Sequence, residues 1–230
     1  MNGSVADRLA AVQRRITSAC AAAHRAPTDV TLLAVSKTHP AAAVRDAFAA
    51  GQRRFGENRV QELGAKANEL ADLPGLEWHM IGSLQTNKVR DLLAVPGLAL
   101  VHSVDRIRLA DELQRELSRS QRRLDVLLQV HATDEATKHG CAIGDVPALL
   151  EHVRVRCPQL VVRGLMAMGP VVGDPAPVFA RVRTLRDSLR TAAGLDLPVL
   201  SLGMSGDLEV AIASGSTLVR IGTDVFGSRS

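Results

Sequence analysis

From residue 30 onward the chain repeats one alternation. A short apolar run rich in Val, Leu and Ile is followed by a longer segment with apolar residues three and four positions apart. Runs of the first kind read as buried strands, and segments of the second as amphipathic helices. The strand-like runs lie at Val30–Ser36, Arg53–Gly56, Glu77–Ile81, Ala99–His102, Asp125–Val130, Val161–Met166, Val199–Ser201 and Thr217–Ile221. Eight such units predict an α/β fold with a parallel sheet, whose natural closure is a single TIM-type (β/α)8 barrel. An open doubly wound sheet is the alternative. Ahead of the first strand, residues 1–25 read as an extra N-terminal helix. It carries Val5, Leu9, Val12 and Ile16 on one face and Arg8, Arg14 and Arg15 elsewhere.

Local signals sharpen the helix ends. Pro40 suits a first helical position and Gly51 a helix end. Asn58 followed by Gln61 resembles a capping box ahead of Val60, Leu63, Ala67 and Leu70. Asp105 can cap a helix buried along Leu109, Leu113 and Leu117, and Ser205 one that runs from Leu208 to Ser214. Pro74-Gly75, Pro96-Gly97 and Gly173-Asp174-Pro175 mark loops. No linker, low-complexity tract or longer repeat interrupts this pattern, so residues 1–230 are expected to form one domain.

Composition narrows the function classes. Aromatic residues make up only 2%, so the core must be aliphatic, and a hydrophobic share of 46% supplies one of ordinary size. No apolar stretch reaches the length of a membrane span, and the N-terminus lacks the apolar region of a secretory signal. Cys20, Cys141 and Cys157 are odd in number and form no CxxC pair, which points to reduced thiols in a cytoplasm rather than disulfides or a zinc site. The net charge of +4 hints at acidic ligands. The arginines are scattered and lack aromatic platforms, which argues against a nucleic-acid surface.

Candidate chemistry starts from a scarcity. Of 28 basic residues only Lys37, Lys66, Lys88 and Lys138 are lysines. Lys37 ends the run VTLLAVSKTHP, and only a primary amine at such a place can form a Schiff base with a carbonyl. The other reading is a strand-end lysine with its stem on the core and its ammonium in water. Near the C-terminus, LSLGMSGD (200–207) passes from strand through glycines into a helix, and VRIGT (219–223) places Gly222 and Thr223 past the last strand. Exposed N–H groups and hydroxyls there suit a phosphate, and in a barrel these loops neighbour the first strand. Ser205 with Gly206 could instead only start a helix, and Gly222-Thr223 only end a strand. A reactive lysine and a phosphate cradle at one mouth imply a phosphorylated aldehyde such as pyridoxal 5′-phosphate.

The segments LLAVSKTHP (32–40), FGENRVQE (55–62), LEWHMIGSLQTNK (76–88), VHSVDR (101–106), TKHG (137–140), RGLMAM (163–168) and LSLGMSGDLEVAIASGSTLVRIGT (200–223) together resemble the pyridoxal phosphate homeostasis (YggS/PROSC) family. The resemblance implies a barrel like the N-terminal domain of alanine racemase, with pyridoxal phosphate held as an internal aldimine. It makes Lys37 the aldimine lysine and Ser205, Gly222 and Thr223 phosphate contacts, with Ser201 and Gly203 shaping the turn. Arg220 is implied as the partner of the pyridine nitrogen, and its fixed charge would weaken the cofactor as an electron sink. Asn58 resembles a ring-side contact, although a capping role explains it equally well. His79, Met80 and Met204 would wall the pocket, with a hydrogen-bonded core histidine the slightly better reading of His79. Lys88 and Lys138 fall inside family motifs, where cofactor transfer through a second lysine competes with a plain solvated role. Arg59 stands where the family commonly has tyrosine, Ser83 where proline is common, and Asp224 where a small or apolar residue is usual.

Racemisation on such a barrel needs a second acid–base group, which in alanine racemases is a tyrosine from a further domain. This chain has no tyrosine. The expectation is therefore a cytoplasmic, monomeric carrier or buffer of pyridoxal phosphate without robust amino-acid catalysis, with apo-enzymes that use the cofactor as candidate partners. A pyridoxal-phosphate racemase or related enzyme is the alternative, and a cofactor-free aldolase using Lys37 is a third reading.

Overall fold

The computed structural model describes residues 3–133 and 140–228. In chain order the elements are helix α1 (Val5–Ala22), strand β1 (Thr31–Val35), α2 (Ala41–Ala49), β2 (Arg54–Glu57), α3 (Val60–Glu69), β3 (Glu77–Met80), α4 (Val89–Leu93), β4 (Leu98–Val104) and α5 (Ile107–Ser118). There follow β5 (Leu124–His131), β6 (Cys141–Ala142), α6 (Val146–Arg156), β7 (Leu160–Met166), α7 (Ala176–Ala193), β8 (Val199–Ser201), α8 (Leu208–Ala213), β9 (Leu218–Ile221) and α9 (Thr223–Phe226). Around the sheet the order is β1-β2-β3-β4-β5-β7-β8-β9, every pairing is parallel, and β9 pairs back onto β1. The ring is closed, which excludes the open doubly wound sheet. β6, two residues long, pairs with the end of β5 and was too short to show in the apolar pattern.

Alternation along the strands divides the interior from the core under the helices. The main core joins Leu32, Ala34, Phe55, Trp78 and Val101 to the helices, α1 contributing Leu9, Val12 and Ile16. A separate apolar cluster holds Leu100, Leu127 and Met166 with Val199 packed against it. Two residues further along β4, β5 and β8 stand the buried polar residues His102, Gln129 and Ser201. The barrel therefore turns from apolar to polar toward the C-terminal ends of its strands, where sites of this architecture form.

Helix α1 is tied to the other end of the chain by arginines. Arg8 Nε donates to the Val225 carbonyl at 2.9 Å, and Arg25 Nη1 to those of Ile212 and Ser216 at 2.8 and 2.7 Å. One planar guanidinium satisfies several carbonyls at once, a task for which a lysine is poorly shaped.

Several helix ends differ from expectation. Pro40 is the cap before α2, not its first residue. The Asn58–Gln61 box does not form. Backbone leaving β2 is still extended at Arg59, the residue before α3, and the Asn58 carbonyl lies so close to Gly82 that no side chain fits there. Asp105 pairs with the neighbouring Arg106 and does not cap α5, although Leu109, Leu113 and Leu117 are buried as expected. Ser205 does not cap α8 either. Asp207 precedes that helix, and its carboxylate accepts the Met204 N–H at 2.6 Å.

Candidate functional site

Lys37 follows β1 directly, and the turn that carries it is clamped on both sides. The buried Lys66 ammonium donates to the Ser36 carbonyl at 2.7 Å, to Glu57 Oε1 at 2.6 Å and to Glu62 Oε1 at 2.8 Å. Ser36 Oγ donates to Glu57 Oε1 at 2.6 Å, and Glu62 Oε1 accepts the Thr38 N–H at 2.5 Å. Thr38 sits at φ +67°, a left-handed conformation that a β-branched residue adopts only when its surroundings impose it. Burial pushes the Glu57 carboxyl up, against the bonds from Lys66 and Ser36, and Glu57 Oε2 is buried without a partner. Burial acts upward on Glu62 as well, yet the bonds from Lys66 and Thr38 prevail and its carboxyl titrates below the ordinary range. Lys37 itself is half-buried, and among the described residues its ammonium has no hydrogen-bond or ion-pair partner. Two lysines next to one turn thus have opposite fates: Lys66 is consumed by structure and Lys37 is left available.

Register then sets the phosphate-type cradle beside that lysine. Ala34 of β1 pairs with Ile221 of β9, so Gly222 follows alongside Val35, and a side-chain carbon at Gly222 would stand 3.2 Å from the Val35 carbonyl. The turn after β8 is shaped by Gly203, whose φ of +91° and close approach to Ala211 exclude a side chain. Among the described residues no acceptor engages the N–H groups of Ser205, Gly206 and Thr223. Such a set can receive an anion. Met204 is exposed at the rim. His39, two residues past Lys37, stacks on Phe226 of α9 with ring centroids 5.3 Å apart, which fastens the lysine loop to the same edge.

Behind the cradle a buried polar string crosses the barrel. Arg220 Nη1 donates to the Ser201 carbonyl and to Ser201 Oγ, both at 2.7 Å, and Nη2 donates to the Ala167 carbonyl at 3.0 Å. Ser201 Oγ lies 3.2 Å from His102 Nδ1, and His102 Nε2 lies 3.0 Å from His79 Nδ1. Arginine only donates, so Ser201 Oγ accepts from it and keeps its own proton for His102 Nδ1. The assignment that satisfies each contact then has His102 Nε2–H donating to His79 Nδ1. Burial pushes His79 down to about 3 and His102 well below its ordinary value, so both imidazoles are neutral. Burial also draws Arg220 down to about 10, which leaves it a cation at neutral pH. His79 is therefore a bonded core histidine, joined to the arginine through His102.

Asn58 lies at the edge of an adjoining cavity of about 460 Å³, whose lining includes Arg59, Met80, Ser83 and Lys88. Two positions where the chain departs from the family pattern, Arg59 and Ser83, thus meet in one place. Lys88 faces Asp91 at 3.7 Å. Lys138 lies outside the described residues. Larger hollows of about 710 and 730 Å³ flank α1, lined by alanines together with polar residues such as Gln13, Arg14 and Ser18, and neither includes Lys37 or the cradle glycines.

Sequence reasoning missed Lys66, Glu62, His102 and Arg15. Arg15 of α1 donates to both carboxylate oxygens of Glu209 at 2.9 and 3.1 Å, to the Ser205 carbonyl at 3.1 Å and to the Asp224 carboxylate. It bridges the two cradle segments and engages the unusual carboxylate at 224. Glu62 and Lys66 are an i,i+4 helix pair that local spacing could have suggested, whereas the contacts of Lys66 with Ser36, of His102 with Ser201 and of Arg15 with Glu209 and Asp224 join residues far apart in sequence.

Residues 8–230 match the family described as alanine racemase, N-terminal domain. The pyridoxal phosphate homeostasis protein of Pseudomonas aeruginosa is 49% identical over 226 residues, covering 98% of this chain and 96% of that protein. The protein of the same name from Aquifex aeolicus is 43% identical, covering 97% of each. The structure of PipY from Synechococcus elongatus, solved with pyridoxal phosphate bound, superposes with a TM-score of 0.84 at 42% identity, covering 97% of this chain and all of that one. With its closed parallel barrel and likeness along nearly the whole chain, this protein belongs to the pyridoxal phosphate homeostasis family within the alanine racemase N-terminal-domain group.

Proposed function

We propose that this chain holds pyridoxal 5′-phosphate at the mouth of its barrel, with Lys37 as the covalent anchor. As a single-domain monomer in the cytoplasm it buffers or carries the cofactor and does not turn over amino acids. One observation carries the reading: the β1–β9 register sets an unpartnered primary amine next to a glycine-lined cradle. Pyridoxal phosphate supplies an aldehyde that a lysine captures reversibly, along with a phosphate and a pyridine nitrogen. The residues fit all three parts. Lys37 faces the aldehyde, while Ser205, Gly222 and Thr223 receive the phosphate on a turn shaped by Ser201 and Gly203. Arg220 meets the ring nitrogen, Asn58 and Met204 border the ring, and His79 holds the far end of the string that orients Arg220.

The case against catalysis rests on charge and on composition. Arg220 remains cationic and keeps a neighbouring ring nitrogen unprotonated, which weakens electron withdrawal. The sequence holds no tyrosine to act as a second base. The names of the relatives support a homeostatic role, and the cofactor in PipY supports the ligand. The reading is tested by titrating wild type and Lys37→Ala with pyridoxal phosphate under visible absorbance, followed by chiral and keto-acid assays with amino acids. A saturable visible band lost in the variant, with no amino-acid turnover, is expected. Turnover by pure wild type that Lys37→Ala abolishes would assign the chain to the enzymes instead.

A further inference from the structure

On the outer helical shell, away from the barrel mouth, three donors of different chemistry converge. Asp111 lies on α5, His152 on α6, and Cys157 caps the end of α6. His152 Nε2 stands 2.6 Å from Asp111 Oδ1, and Cys157 Sγ stands 4.0 Å from that same oxygen. All three donor atoms fall within 4.8 Å of one another. The thiol is fully buried, whereas the Asp111 and His152 side chains are 54% and 24% exposed, so one side of the cluster faces solvent. Among the described residues Asp111 pairs with no lysine or arginine, although Glu112, Glu116 and Glu151 on the same two helices each pair with arginine.

We infer that Asp111, His152 and Cys157 form a binding site for a borderline-soft divalent cation of the zinc class, with its fourth position open to water. The donor set is one that zinc favours over magnesium or calcium, which take oxygen ligands. Bond lengths of about 2.0–2.3 Å in a tetrahedron set the donors roughly 3.3–3.7 Å apart. A cation seated here would part the imidazole and carboxylate, now 2.6 Å apart, and draw in the sulfur, now 4.0 Å from the oxygen. These two shifts are under about 1 Å, and the imidazole and sulfur, within 4.8 Å, close by at most about 1.5 Å, within the reach of side-chain rotation. Empty, the cluster is held by hydrogen bonds, with Asp111 Oδ1 facing both the His152 ring nitrogen and the Cys157 thiol. Burial, reinforced by the Asp111 carboxylate, pushes that thiol up to about 11, so a metal must displace its proton. On binding, the metal–sulfur bond forms, the S–H bond breaks, and one proton leaves to solvent, while imidazole and carboxylate each donate a lone pair. No CxxC marks the site because its ligands come from two helices, with 41 residues separating Asp111 from His152.

The test uses untagged, thiol-reduced protein freed of metal by a chelator and titrated with cobalt(II), then with zinc(II) in competition. One equivalent of cobalt should give tetrahedral visible bands and a thiolate charge-transfer band, release about one proton, and be displaced by zinc. Cys157→Ser should remove the charge-transfer band. His152→Gln, at a partly solvent-facing position, should weaken binding at least about tenfold with the thermal melt of the metal-free protein unchanged. Absence of saturable one-to-one binding would overturn the assignment. So would a charge-transfer band that survives both substitutions, which would put the metal on Cys20 or Cys141.

Discussion

Lys66→Met probes how the reactive turn is built. The wild-type ammonium is 7% exposed and makes three bonds of 2.6–2.8 Å, one to the fully buried Glu57. Methionine keeps the stem but strands Glu57, the Ser36 carbonyl and part of Glu62. Removing one partner of a buried pair costs about 3–5 kcal/mol, because the remaining charge stays desolvated. At about 2–4 °C per kcal/mol for a chain of this size, the melting temperature should fall by about 6–20 °C. The cost should depend on pH with a definite sign. The folded pKa of Glu57 is raised above its unfolded value, so its contribution is fully present below the ordinary glutamate value of 4.5 and is lost as pH rises through the folded value. Without Lys66 the opposing bond disappears, the folded value climbs further, and the deficit relative to wild type widens toward neutral pH. Adding Glu57→Gln to Lys66→Met removes the stranded charge and should restore part of the loss. Urea melts of the two single variants, the double variant and wild type across the acid-to-neutral range measure all of this. A Lys66→Met cost below about 1 kcal/mol, or a double variant whose losses simply add, would refute the reasoning.

Arg15→Gln releases Ser205 and leaves the Asp224 carboxylate uncompensated beside the cradle. Because these groups are partly exposed, the effect should be at most about fivefold in the dissociation constant of pyridoxal phosphate, with that of unphosphorylated pyridoxal unchanged. Competition binding with the two vitamers checks it, and equal weakening of both would show that Arg15 supports the fold alone. The buried histidines set acid sensitivity. Their folded values lie below the ordinary 6.5, so their stability is present above 6.5 and is lost as pH falls toward about 3, by up to about 1.4 kcal/mol per pH unit for each. His79→Gln should flatten that acid limb in denaturant melts, and an unchanged slope would mean that His79 does not titrate on unfolding.

The strands were legible to within a residue or two because a parallel strand buried on both faces writes itself as a continuous apolar run. Val199–Ser201, only three residues long, was placed this way. Caps were not legible. Asn58, Asp105 and Ser205 have the right chemistry, but the helix starts are set by where the chain leaves its strand and by distant partners. Glu62, an ordinary first-turn acid in sequence, reaches back to the Thr38 N–H while pairing with Lys66 one turn ahead. Some of the residues singled out are neighbours in space: Gly222 lies beside Val35, two residues before Lys37, and Arg220 bonds to Ser201 and Gly203. The parts that could not be read were the supporting ones. Lys66 was only one of four lysines, Arg15 an arginine off the apolar face of the first helix, and His102 the last residue of an apolar run.

The central claim is that Lys37, whose ammonium has no hydrogen-bond or ion-pair partner among the described residues, is the lysine that captures the cofactor. Borohydride reduction of the protein loaded with one equivalent of pyridoxal phosphate, followed by peptide mass mapping, tests it most directly. The account predicts a reduced phosphopyridoxyl adduct on Lys37, with Lys66 protected by its three bonds. An adduct chiefly on Lys66, Lys88 or Lys138, or none at all, would contradict it.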